Sequence, residues 1–421
     1  MYQCVDACCS SSTMITVSTI RYCQIACLSD TMCRTVTFDS TSNKCQLFTD
    51  SVIEHGNMFV QINVVTMIVT DGRSEGASGN IVFIPEASLG TGSAPSGLAI
   101  MDVNSDNKLD VIVTNFMDDN VVVLFNDGTG NFPSSTGYSV GSHPNLVVTG
   151  YINNDDKPDL VVHNQGWANL SLLLNTGNGT YVHQTTLYTN SDSQSMAIID
   201  VNNDNEQDIV VANMGLNNIG IFFNTGNGSF LGQTTYPTGS EPCSMSVVDI
   251  NNDSLPDLIV ANRYSNNIGV LLNIGNGNFS SQMTFITGSH PCSIAVADLN
   301  GDTKPDITVA NCDSDTISIL FNNGSGNFLD QITYPTSSGP TAVSVIDINN
   351  DNKLDIIVVN INVNNVGILL NNGNGTFLNQ TTYQVGAIPF LLAVVDINYD
   401  NKADIITVNR GSNNVGILTQ C

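Results

Sequence analysis

A 49-residue segment repeats along most of the chain without slippage, and no other feature restricts the fold as strongly. The acidic stretch Asp102-Val-Asn-Ser-Asp-Asn-Lys-Leu-Asp110 returns with its first position at 102, 151, 200, 249, 298, 347 and 396. Three further markers keep the same step. An Asn recurs at 115, 164, 213, 262, 311, 360 and 409. A turn Asn-x-Gly-x-Gly-x-Phe/Tyr appears in six copies, from Asn126–Phe132 to Asn371–Phe377. A proline stands at 95, 144, 242, 291, 340 and 389, replaced by Ser193 in the third copy.

Each unit reads as four short strands. In the first copy they are Leu98–Val103, Val111–Thr114, Asn120–Asn126 and the more polar stretch after Phe132 that ends near Val140. No unit carries an amphipathic helical pattern of useful length. Four short strands at a fixed period predict β-propeller blades. Residues 80–91 align with the fourth-strand region of a later unit: Phe83 falls on Phe230, and Thr91-Gly-Ser falls on Thr238-Gly-Ser. The chain stops just after a third strand, Val415–Thr419. Residues 79–421 are 343 positions, or 7 × 49. The expected fold is therefore mainly β: a seven-bladed propeller over 79–421, closed when the strand near 80–91 completes the last blade and removes its open edge.

The acidic loop is the candidate metal site. It offers side-chain oxygen at positions one, three, five and nine, and a backbone carbonyl at seven. The seven loops are Asp102, Asn104, Asp106, Lys108 and Asp110; Asn153, Asp155, Lys157 and Asp159; Asp200, Asn202, Asp204, Glu206 and Asp208; Asp249, Asn251, Asp253, Leu255 and Asp257; Asp298, Asn300, Asp302, Lys304 and Asp306; Asp347, Asn349, Asp351, Lys353 and Asp355; and Asp396, Asn398, Asp400, Lys402 and Asp404. Five converging oxygens suit a hard cation, and Ca2+ with its flexible coordination suits them better than Mg2+. A row of Asx-turns without metal is the competing reading. In-phase copies that bring up to three carboxylates together argue for a counter-ion. The second loop has Tyr151 at its first position, so six strong sites are expected and a weak or empty seventh. Position six, from Asn107 to Asn401, should adopt the left-handed conformation.

Asp-x-Asn-x-Asp-x-x-x-Asp followed by an aliphatic run, repeated in blades, resembles the FG-GAP (VCBS) repeat of integrin α-subunit propellers and some lectins. The resemblance covers 79–421. It implies that the loop joins the first and second strands of a blade and holds a structural Ca2+.

The N-terminal 62 residues have a different character. Seven of the eleven cysteines fall within the first 45 residues, which reads as a disulfide framework in an oxidising compartment. Cys23-x3-Cys27-x5-Cys33-x11-Cys45, with Val36-Thr-Phe-Asp39 between, resembles the PAN/Apple module, a disulfide-stapled α+β fold that binds protein or sugar. Cys23, Cys27, Cys33 and Cys45 are then its disulfide candidates, and 20–28 its helix. Residues 63–78 read as the linker. Zinc binding by these cysteines finds no supporting His spacing. Cys243 and Cys292 occupy the same position in adjacent units and are expected to be free thiols, buried or half-buried. Met1–Cys9 has neither a basic start nor an apolar stretch, so no secretory leader is read there. A mature form, a fragment and a trimmed chain all remain compatible with that. Eight Asn-x-Ser/Thr sequons add weak support for secretion in so Asn-rich a chain.

Charge narrows the partners. Asp and Glu total 38 against 11 Lys and Arg, for a net charge of −27 and no basic run. Nucleic-acid binding is excluded on that ground, and an acidic surface disfavours anionic lipid. No apolar run is long enough to span a bilayer as a helix, so direct membrane insertion is not expected. No catalytic motif is found. The Ser-His-Pro turns at His143 and His290 repeat and read as scaffold. Variation is concentrated in the loop after the repeated Asn, as in Gln165-Gly-Trp-Ala and Arg263-Tyr-Ser-Asn. These loops emerge opposite the metal loops, because strand direction alternates. Trp167, Arg263 and Tyr264 lie there as candidate binding anchors, the alternative for Trp167 being local packing on its own blade. The expected function is a secreted, non-enzymatic binding protein with a glycan or extracellular protein as ligand. The alternative is an extracellular carbohydrate-active lyase or hydrolase.

Overall fold

The computed structural model describes residues 33–39, 44–49, 81–189 and 191–421. The chain divides into two compact units, Glu86–Gln420 and Met1–Pro85 with Cys421. In the smaller unit, the strands Cys33–Asp39 and Lys44–Thr49 pair antiparallel, with Phe38 opposite Cys45. The expected helix at 20–28, Cys23, Cys27, the side chains of Cys33 and Cys45, and the linker 63–78 lie outside the described residues.

The larger unit is a seven-bladed β-propeller of four-stranded antiparallel sheets. The first blade consists of Pro95–Met101, Asp110–Asn115, Asn120–Phe125 and Ser134–Ser139. The inner strand begins three residues earlier than expected, at the marker proline, and ends at Met101, because Asp102 already belongs to the acidic loop. Proline opens six inner strands and Ser193 the other. Ring closure is as expected. Ala87–Gly90 pairs with Asn414–Leu418, Leu89 facing Val415, and becomes the outer strand of the blade Pro389–Val395, Asp404–Asn409, Asn414–Leu418. A core of Val111, Val113 and Leu124 with Ile397, Ile406, Val408, Val415 and Ile417 joins the last blade to the first.

Why the period is so strict follows from the packing. The second strands, such as Asp110–Asn115 and Asp257–Asn262, are buried at every position. They lie inside their own sheet with a neighbouring blade on each face. Alternate side chains therefore serve alternate interfaces. Ile112 packs with Leu160 and Val162 of the second blade, while Val111 and Val113 face the seventh. An insertion of one residue would exchange the two faces.

The turn Asn is a second reason. Asn126 Nδ2 donates to Leu109 O at 3.0 Å in its own blade and to Ile397 O at 2.8 Å in the preceding one. Asn175, Asn224, Asn273, Asn322 and Asn371 repeat the cross-blade bond to Val103, Ile152, Val201, Ile250 and Leu299. The seventh blade has Gln420 at this position, and its Nε2 reaches Ile348 O at 2.9 Å. The same turn needs its second glycine. Gly277 has φ +70°, and a Cβ there would strike the Phe223 ring of the preceding blade.

Candidate metal loops and the variable-loop face

In each complete acidic loop the side-chain oxygens fold the backbone around themselves. Asp102 Oδ1 and Oδ2 accept the Asp106 and Asn107 N–H groups at 3.2 and 2.7 Å. Asn104 Oδ1 accepts the Asp106 N–H, and Asp106 Oδ1 accepts that of Lys108, both at 3.0 Å. Asp298, Asp347 and Asp396 repeat the first pair of bonds. Position six is left-handed as expected, with φ 63° at Asn107, 70° at Ser254 and 67° at Thr303. Position four is left-handed too, at Ser105 and Tyr399 for example. Two such residues in one nine-residue loop coil it tightly enough to turn positions one, three and five inward.

The ninth position does a separate job. Asp110 is fully buried, and its two oxygens accept the Val103 N–H at 3.2 Å and the Asn126 N–H at 3.0 Å. It joins the loop to the turn that grips the preceding blade. Burial lifts Asp110, Asp208, Asp257, Asp306, Asp355 and Asp404 to about 6, against the pull of those two backbone bonds. The carboxylates at positions five and one add to the rise. Asp159 is likewise lifted to about 6, with Asp155 as its acidic neighbour.

Among the described residues, no three His, Cys, Asp or Glu side chains are gathered as a bound metal would gather them. The donor chemistry nevertheless suits a hard divalent cation. It is all oxygen, and the carboxylates of a complete loop meet at most one lysine, such as Lys304 at 3.2 Å from Asp302. The second loop fits poorly. Tyr151 supplies no carboxylate, and its N–H donates instead to Gln207 Oε1 of the third blade at 2.7 Å. Asn154 there donates to Glu206 at 2.8 Å.

The opposite face carries the loops between second and third strands, and with them the residues that precede each inner strand. Short 3-10 turns form at Gln165–Trp167 and Arg263–Ser265. Trp167 is 63% exposed, so it does not pack down on its own blade. Tyr264 is 56% exposed, and Arg263 is half-buried beside it. Trp167 stands on the second blade and the Arg263–Tyr264 turn on the fourth. Tyr264 meets His290 of the next blade edge-on at 5.2 Å, and His290 Nδ1 pairs with Asp313 Oδ2. Across the ring, His143 packs on Phe116 at 4.7 Å, with the Arg410 guanidinium 4.8 Å over the Phe116 ring. The histidines read from sequence as scaffold thus belong to this face. Their signal was position: each directly precedes a marker proline, at the end of the blade where the variable loops emerge.

One expectation is corrected here. Cys292 is not a free thiol: it is disulfide-bonded to Cys312 of its own blade, Cα to Cα 6.2 Å. The inner strand begins beside the end of the second strand, so Cys292 meets a residue 20 positions on, which is within reach of a bridge. Cys243 is free and buried, as expected. Its neighbour at the Cys312 position is Arg263.

Comparisons with known proteins follow this geometry. A model of the FG-GAP-like repeat matches residues 102–162, 151–211, 200–260, 249–309, 298–358 and 347–407. A PAN domain model matches residues 5–69. No curated protein matches. Among solved structures, virginiamycin B lyase from Staphylococcus aureus is similar at TM-score 0.58 and 15% identity, over 81% of this chain and 99% of that one. An Agrocybe aegerita lectin that recognises non-reducing terminal N-acetylglucosamine is similar at TM-score 0.51 and 16% identity, over 80% and 87%. At such identities the likeness shows the fold alone. The six matched segments run through the propeller from its first acidic loop to its last, and the chain belongs to the FG-GAP-like repeat family.

Proposed function

We propose that the protein is an extracellular, calcium-stabilised binding protein without catalytic activity, and that it recognises a glycan or a protein through its variable-loop face. One observation carries this reading. The repeated residues are engaged in building blades, whereas the variable loops present Trp167 and Tyr264 largely to solvent on rigid strand ends. Exposed aromatics beside an arginine are common binding anchors, and loops on a fixed scaffold commonly carry function. The PAN domain and the lectin among similar folds support a binding role, and the Cys292–Cys312 bridge supports an oxidising compartment. Among the described residues no helix is long and apolar enough to cross a membrane.

Calcium in this reading is structural. The residues that would hold it are positions one, three, five and nine of the six complete loops, with the carbonyl of position seven. When bound, the cation would supply the positive charge these carboxylates lack. The loops' own residues already order the backbone at the root of each blade, and Asp110 and its equivalents pass that order to the preceding blade through the turn Asn.

A second reading rests on the His290–Asp313 pair against Tyr264, a polar arrangement that could serve a lyase or hydrolase. A glycan array run beside a polysaccharide depolymerisation assay separates the two. Binding without release of oligosaccharide is expected. Turnover that His290→Ala abolishes would replace the binding reading with the enzymatic one.

A further inference from the structure

Sequons occur at Asn169, Asn178, Asn227, Asn252, Asn278, Asn323, Asn374 and Asn379. All but Asn169 are exposed. Five of the exposed ones, Asn178, Asn227, Asn278, Asn323 and Asn374, stand in the turn between third and outer strands, beside the acidic loops. Asn252 is in an acidic loop itself, and Asn379 lies two residues before the outer strand Thr381–Gln384, at the same end of its blade. The sequon at the variable-loop end is Asn169. It is 4% exposed, and its Oδ1 accepts Asn164 Nδ2 at 2.8 Å. Asparagine content does not explain this division. The variable-loop end holds the pairs Asn217-Asn218, Asn266-Asn267, Asn364-Asn365 and Asn413-Asn414, and none has Ser or Thr two residues on.

We propose that the five turn asparagines are N-glycosylation sites, and that their glycans cover the metal-loop face and leave the variable-loop face bare. The proposal rests on the extracellular reading. The co-reactant is a lipid-diphosphate-linked oligosaccharide. Asn Nδ2 attacks its anomeric carbon, an N–C bond forms, and the bond from that carbon to the diphosphate oxygen breaks. Nδ2 loses one proton and the protonated lipid diphosphate departs, with no change of oxidation state. Among the described residues, the turns hold the acceptor Nδ2 in no bond to another part of the fold; at Asn278 it donates within its own turn, to Gly275 O at 3.2 Å and Asn276 O at 3.4 Å. In Asn374-Gly375-Thr376 the Thr376 hydroxyl already donates to Asn374 Oδ1 at 2.8 Å, joining the two side chains the sequon requires. At Asn169 a sugar on Nδ2 would have to enter the sheet, so the folded protein excludes it.

The test uses the full chain behind a foreign secretion leader in a eukaryotic host, so that entry into the glycosylating compartment does not depend on where the native protein resides. Secreted protein is treated with peptide-N-glycosidase in heavy-oxygen water, which converts each occupied Asn to labelled Asp, and the sites are read by mass spectrometry. Label at the five turn positions with none at Asn169 is expected, and Thr180→Ala should remove the label from Asn178 alone. Label at Asn169 in folded protein, or unlabelled turns on secreted protein, would overturn the proposal. The extracellular reading fails separately, if the protein in its own cells is found only in a reducing compartment.

Discussion

The turn Asn offers a direct measure of what holds neighbouring blades together. Asn273 is 2% exposed. Its Nδ2 donates to Val201 O of the preceding blade at 2.8 Å and to Pro256 O at 3.1 Å, and its Oδ1 accepts the Gly275 N–H at 2.9 Å. Asn273→Ala removes all three bonds. At about 1 kcal/mol net each, with roughly 1 kcal/mol more for leaving the buried Val201 carbonyl without this partner, the loss is ~4 kcal/mol. Urea unfolding followed by far-ultraviolet circular dichroism would read it as a fall in midpoint at unchanged slope. Ile274→Ala, one residue away and 68% exposed, should stay within about 0.5 kcal/mol. Asn273→Gln should recover part of the loss, because Gln420 makes the equivalent cross-blade bond in the seventh blade. If Asn273→Ala cost no more than Ile274→Ala, the turn Asn would not be holding the blades, and the account of the strict period would lose its second support.

Other outcomes follow from the same geometry. His163 is fully buried against Asn145 Oδ1 at 2.6 Å, and burial pulls it down to about 4. Its folded value lies below its unfolded one, so its contribution of ~3 kcal/mol is present above about pH 6.5 and lost as pH falls toward 4. His163→Ala, the residue found at this position in three other blades, should flatten that acid limb, and an unchanged limb would refute the assignment. Chelation of metal-stripped protein should leave a lower Tm that Ca2+ restores in preference to Mg2+, in proportion to mass action; no response to added Ca2+ would remove the cation from the account. Asp298→Ala should lower the Ca2+-dependent part of Tm more than Asn153→Ala, because the second loop already lacks its first carboxylate. Trp167→Ala and Tyr264→Ala should each weaken an identified ligand at least tenfold, about 1.4 kcal/mol, without shifting Tm; unchanged affinity in both would move the site off this face.

What the sequence determined by itself is everything that each blade does in the same way. Blade number and ring closure by Ala87–Gly90 follow from the count and register of whole 49-residue units, and the loop at 102–110 and the left-handed residue at Asn107 follow from local bonds that the complete copies share. Seven repetitions of one local solution leave a periodic trace that survives variation between them. The tertiary structure decided the rest. Tyr264 meets His290 across a blade boundary, Asp313 closes that cluster from a third segment, and Cys292 bridges to Cys312 rather than remaining like Cys243. These pairings join positions that are not equivalent in the repeat, so no spacing announces them. Likewise Asp110 reads from sequence as one more oxygen donor, yet it also ties the acidic loop to Asn126 and so to the preceding blade. Its burial depends on the neighbouring blade being in place, and only the assembled ring supplies that.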